Sequence, residues 1–126
     1  MPTHKQTWCG IDLDGVLAEH YWGNGVEQDD LIIGEPIPAM VGKVRDIMHE
    51  GWEVRIFTSR AAWASTLERQ AVHRAIDEWC IRVFGQTFRI TNEKDPEMHA
   101  LYDDLAVRIV RNAGVACCDH HERSPQ

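Results

Sequence analysis

Two aspartates stand one residue apart at the end of a short apolar run, in Asp12-Leu13-Asp14-Gly15. Residues two apart in an extended chain project to the same side, so both carboxylates are expected to face one point. Gly15 lets the backbone turn sharply directly after them. Two carboxylates held this close repel and do not both ionise readily unless a cation lies between them. A hard, oxygen-seeking ion such as Mg²⁺ is the natural partner. Further along, Thr58-Ser59-Arg60 offers two hydroxyls and a guanidinium. Hydroxyls combined with backbone N–H groups at a helix start suit a phosphate group. Lys94 is a point charge able to hold a phosphoryl oxygen, and Asp103-Asp104 form a second acidic pair. A nucleophile, a metal site, donors for equatorial oxygens and an acid for the leaving oxygen are what phosphoryl transfer from a monoester requires.

The elements that must bring these groups together follow from periodicity. Thr7 to Leu13 (TWCGIDL) reads as a buried strand. Residues 15–37, rich in Gly, Asp and Glu, read as a loop or small hairpin, a flap closed by Pro36 and Pro38. A helix is predicted from Ala39 to Glu50, with Val41, Val44, Ile47 and Met48 on one stripe. Trp52 to Thr58 (WEVRIFT) is a second strand. A longer helix over Ala64 to Phe84 turns Val72, Ile76, Trp79, Cys80 and Val83 inward. Phe88 to Thr91 is a third strand, and Ala100–Asp103 and Ala106–Val110 are candidate fourth and fifth strands. The tail from about Asn112 has no period.

Strand, helix, strand, helix, strand is the pattern of an α/β domain, expected as a three-layer, Rossmann-like fold with a mainly parallel five-stranded sheet. In open sheets of this kind, chemistry gathers beyond the carboxyl ends of the strands. Asp12, Thr58, Lys94 and Asp103 all fall at or just past such ends.

Composition narrows the remaining classes. At 126 residues the chain is read as one domain able to bury a core without staples. A net charge of −7, from 20 acidic against 13 basic residues, runs against a general nucleic-acid binder, whose affinity comes from Lys and Arg. It fits a clustered acidic site around a divalent cation. No stretch approaches the roughly 18 to 20 apolar residues a membrane helix needs. The polar Met1–Thr7 start lacks a signal-peptide core, and Cys9, Cys80, Cys117 and Cys118 form no CxxC pair. They are expected as reduced thiols in a cytoplasmic protein.

Taken in order, these motifs resemble those of the haloacid-dehalogenase (HAD) superfamily. Asp12-Leu13-Asp14-Gly15-Val16 matches its opening DxDGV, Thr58 its second motif, Lys94 its third and Asp103-Asp104 its fourth, together spanning residues 7–110. One short motif recurs by chance, whereas four in order are a strong signal. The resemblance implies that Asp12 attacks phosphorus and becomes an aspartyl-phosphate. It implies that Asp14 protonates the leaving oxygen and then deprotonates the hydrolytic water. Mg²⁺ would be held by the Asp12 carboxylate, the Asp14 main-chain carbonyl and one or both of Asp103 and Asp104. Thr58, with Ser59 beside it, and Lys94 would hold the phosphoryl oxygens.

Neither gap that carries a cap in this superfamily is long enough for one here, so the chain is expected to be capless. An open site of that kind goes with bulky substrates such as nucleotides or nucleic-acid ends, or with a second copy of the chain serving as lid in a homodimer. The start and the Thr-Ser pair are similar to those of deoxyribonucleotidases and of the phosphatase half of polynucleotide kinase-phosphatases. The implied activity is a phosphomonoester hydrolase. The alternatives are a phosphotransferase or polynucleotide 3′-phosphatase, and, from another class, a non-catalytic phosphate-binding regulatory protein.

Tyr21, Trp22, Trp63 and Arg60 are candidate substrate contacts at the mouth of the site, with packing of flap on core as the competing role for the aromatic side chains. Cys117-Cys118-Asp119-His120-His121 lacks the two-to-four-residue ligand spacing of structural zinc sites and is read as tail.

Overall fold

A computed structural model of the chain describes residues 5–20, 31–62 and 66–117. Tyr21, Trp22, Trp63 and the segment from Cys118 onward lie outside the described residues. Among the described residues, four strands and two helices follow one another: β1 (Trp8–Asp12), α1 (Pro38–His49), β2 (Glu53–Phe57), α2 (Thr66–Phe84), β3 (Arg89–Thr91) and β4 (Met98–Tyr102). A single 3₁₀ turn, Ser59–Ala62, joins β2 towards α2. The sheet is parallel throughout, in the order β3-β2-β1-β4.

Alternation along β1 divides the molecule. Cys9 and Ile11 point to one side and, with Val54 and Ile56 of β2, meet both helices in one apolar cluster. Into it α1 sends Val44 and Ile47, and α2 sends Val72, Ile76, Trp79, Cys80 and Phe84. Each such buried side chain contributes about 1.5–3 kcal/mol of apolar burial. α1 starts on Pro38, whose missing N–H costs nothing in a first helical turn.

Both helices pack on the same face because the β1-α1-β2 and β2-α2-β3 crossovers advance in one direction and share the right-handed sense. The described residues therefore form two layers, where three were expected. The other face of the sheet is closed by a polar network. The Arg55 guanidinium stacks 4.3 Å above the ring of Trp8, which is fully buried. Glu53 accepts two bonds from Arg55, each 3.0 Å. Asp95, on the connection from β3 to β4, accepts the Trp8 indole N–H at 2.9 Å. That bond, ahead of the bonds from Glu97 N–H and Arg55, holds the Asp95 carboxyl below its ordinary range.

The expected fifth strand does not join the sheet. Residues 106–110 are exposed and pair instead with the chain that follows. Val110 N–H donates to Val115 O and Cys117 N–H to Arg108 O, each at 2.8 Å. The hairpin turns through Asn112 and Gly114, both at positive φ. Only Asp103, Asp104 and Leu105 separate β4 from Ala106, whereas a parallel neighbour needs a crossover of a dozen or more residues. The first part of the expected tail, residues 112–117, thus forms the return arm of this hairpin.

The ends of the expected flap do form an antiparallel stem. Glu19 N–H donates to Glu35 O and Ile37 N–H to Leu17 O, both at 2.8 Å. A Cβ at Gly34 would collide with the Glu19 carbonyl, so the stem closes only around a glycine. The Trp79 indole then ties Gly34 O to α2 at 2.9 Å. Among the described residues no helix is long and apolar enough to cross a membrane.

Candidate functional site

The carboxyl ends of the strands open onto a cleft of about 300 Å³. Asp12, Asp14, Ser59, Asn92, Asp103 and Asp104 contribute its polar wall, with Phe57, Ala62 and Leu105 beside them. Each strand of the sheet thus delivers a polar group to one place, as the topology requires.

A tight turn positions the first of these groups. Leu13 and Leu17, both fully buried, anchor it from below. Leu13 O accepts Leu17 N–H at 3.0 Å and Ala18 N–H at 2.8 Å, and Gly15 N–H reaches Ala18 O at 2.8 Å. Gly15 has φ +84°, a conformation in which a side chain is strained.

Asp12, Asp103 and Asp104 form an acidic triad, one carboxylate oxygen from each lying within 4.8 Å of the others. The Asp12 carboxyl is pushed up to about 7 by burial, then by its hydrogen bond to Asp104 and the charges of Asp103 and Asp104, against a smaller opposing bond from the Leu13 N–H. Asp103 is oriented by its own turn, since its Oδ1 accepts Leu105 N–H at 2.7 Å. Three carboxylates, with no nitrogen or sulfur donor among them, are a donor set suited to a hard divalent cation. A cation there would favour the ionised form of Asp12 against both burial and the neighbouring carboxylates.

Asp14 takes a different partner from the one its spacing suggested. Its Oδ2 accepts Arg60 Nε at 2.7 Å and its Oδ1 accepts Arg60 Nη2 at 2.9 Å. Arg60 is only 7% exposed, and its Nη2 also donates to Ile32 O at 3.1 Å. His20 Nδ1 lies 3.8 Å from Asp14 Oδ1. Asp12 and Asp14 both line the cleft, but the three clustered carboxylate oxygens are those of Asp12, Asp103 and Asp104, while Asp14 is held by Arg60. β1 ends at Asp12 and the turn begins at Leu13, so the two-residue strand period lapses before Asp14.

The other expected residues divide. Thr58 is 2% exposed, and its Oγ1 accepts Arg60 N–H at 3.1 Å, capping the 3₁₀ turn. Ser59 is exposed in the cleft wall. Arg60, expected at the substrate, turns inward to Asp14. Lys94 is exposed on the β3–β4 connection and does not line the cleft. Asn92, two residues earlier, does line it and was missed in the sequence. Its signal was position alone, the first residue past β3.

No protein-family model matches the chain, and no curated relative does. A solved structure of a conserved protein from Bacteroides thetaiotaomicron is similar to it. The TM-score is 0.50 at 21% identity, covering 82% of this chain and 79% of the other. At that identity the likeness concerns the fold alone.

Proposed function

We propose that the chain is a phosphomonoester hydrolase of the HAD type, dependent on a divalent cation and acting through an aspartyl-phosphate on Asp12. The observation that carries this reading is the meeting of Asp12, at the end of β1, with Asp103 and Asp104 past β4 on the wall of one cleft. Four motifs in family order, falling at strand ends of a parallel sheet, support it further.

The chemistry uses two carboxyl groups in sequence. An Asp12 oxygen forms a bond to phosphorus as the bond from phosphorus to the leaving oxygen breaks, and Asp14 gives that oxygen its proton. Water then attacks phosphorus, Asp14 takes the proton from the water, and the phosphorus–Asp12 bond breaks to release inorganic phosphate. Asp12, Asp103, Asp104 and the Asp14 carbonyl would hold Mg²⁺, which supplies neutralisation of the anionic phosphate facing an anionic nucleophile. Ser59, in the cleft wall, would hold a phosphoryl oxygen, whereas the Thr58 hydroxyl, buried and capping the 3₁₀ turn, and Lys94, exposed outside the cleft, would reach one only after moving.

Substrates are phosphorylated small molecules, nucleotides or nucleic-acid ends, because neither gap in the chain is long enough for a covering domain. Free thiols at Cys9, Cys80 and Cys117 fit a reducing, cytoplasmic setting. The test is phosphate release from an aryl phosphate, from 5′- and 3′-mononucleotides and from a 3′-phosphorylated oligonucleotide, with Mg²⁺ or with chelator. Magnesium-dependent release, lost in Asp12→Asn, is the expected result. Absence of release on every substrate, from folded protein that binds Mg²⁺, would favour a phosphate-binding role without turnover.

A further inference from the structure

We propose that Arg60 is a positioning residue that holds the Asp14 carboxylate out of the acidic triad and in the plane needed for proton transfer. This rests on the reading of Asp14 as acid and base.

A planar guanidinium that donates two parallel bonds to one carboxylate fixes both its position and its plane, as a single lysine ammonium cannot. Arg60 makes that contact at 2.7 and 2.9 Å. The guanidinium is itself anchored. Its residue lies in the 3₁₀ turn Ser59–Ala62, whose first turn is closed by Thr58 Oγ1 on Arg60 N–H. A third bond, from Nη2 to Ile32 O, ties the same fork to the segment leading into the stem.

Two facts argue for a role beyond holding the fold together. A buried ion pair is weak as a stabilising device, since desolvating the two charges offsets much of their attraction. Asp14 also lines the cleft, while Arg60 does not, so the carboxylate stands between its anchor and the space a substrate would fill. Released from Arg60, a carboxylate two residues from Asp12 would be free to swing towards the cation site. A carboxylate bound to a cation there no longer delivers a proton to a leaving oxygen. The fork of Arg60 keeps the proton donor and the metal ligands as separate groups.

The test compares kcat/KM for two substrates in wild type, Arg60→Lys and Arg60→Met, with folding checked by circular dichroism. An aryl phosphate leaves as a stabilised phenolate and needs little protonation, whereas an alkyl phosphate depends on the acid. With Arg60→Met, kcat/KM should fall about 100-fold for the alkyl phosphate and under about 10-fold for the aryl phosphate. Arg60→Lys, which keeps the charge and loses the fork, should fall between and serves as the probe if the methionine variant does not fold. An activity-free arm follows the Arg60 Nε–H resonance, which should be protected from exchange in wild type and lose that protection in Asp14→Asn. Equal losses on both substrates, unchanged kinetics, or an unprotected Nε–H in wild type would overturn the assignment. No release by the wild type on either substrate would instead sink the hydrolase reading, and this assignment with it.

Discussion

The carboxylate of Asp104 lies directly against the α-carbon of Gly15, so that a Cβ built there would stand 2.8 Å from Asp104 Oδ2. The turn after β1 and the acidic pair after β4 are thus fitted to each other through a missing side chain. Gly15→Ala meets both that contact and a φ of +84°. It should lower stability by about 1–2 kcal/mol from backbone strain, read by urea denaturation. It should also raise the Mg²⁺ concentration needed for half-maximal activity, because the Asp104 carboxylate must shift from its place in the triad.

Stability should respond to pH through Asp12. Its carboxyl is raised from an ordinary 3.8 to about 7, so the folded chain holds a proton that the unfolded chain releases in that window. The associated stability is fully present below about pH 4 and is lost as pH rises towards 7. Without metal, this group lowers Tm as pH rises from about 4 to 7. Mg²⁺ replaces the proton, so its stabilising effect on Tm should be larger at the upper pH. A Mg²⁺ effect that is the same at both, or larger at the lower pH, would count against the triad as the binding place.

Asp12→Asn separates function from stability. The amide removes one of three crowded charges and retains a donor for Asp104. In chelator near neutral pH the variant should be at least as stable as wild type, while phosphate release disappears. Denaturant melts of the two proteins under identical conditions check the first half. A variant that is several kcal/mol less stable would mean that Asp12 serves the fold.

Trp79 links the flap stem to the core through its indole N–H on Gly34 O, at 2.9 Å and 2% exposure. Trp79→Phe keeps most of the apolar volume and leaves that carbonyl without this donor. The expected cost is about 1–3 kcal/mol, measured by thermal or urea unfolding. Unchanged stability would show that water or another group satisfies Gly34 O without loss.

Much of this architecture was legible in the sequence because the signals were local. β1, α1, β2 and β3 fall within about two residues of the expected bounds, since apolar period and Gly/Pro punctuation decide them. α2 ends at Phe84 as expected, and β4 begins two residues earlier than its expected start at Ala100. Ala106–Val110 failed as a sheet strand although its composition is strand-like. The obstacle is the three-residue link from β4, a topological limit that propensity does not register.

At the site, the gathering of Asp12, Asp103 and Asp104 followed from strand order. The partner of Asp14 did not, because it depends on where β1 stops and on Arg60 turning inward from a 3₁₀ turn that no pattern announced. Asn92 was equally hidden. Nothing in its type marks it, and only the end of a three-residue strand places it on the cleft.

Trapping the covalent intermediate tests whether Asp12 is the nucleophile. Wild-type protein turning over an aryl phosphate with Mg²⁺ is quenched in acid, digested and mapped by mass spectrometry. The expected result is a phosphoryl group on the peptide carrying Asp12, absent with chelator and absent in Asp12→Asn. Undiminished phosphate release by Asp12→Asn, with no phosphoryl group on that peptide in the wild type, would contradict it.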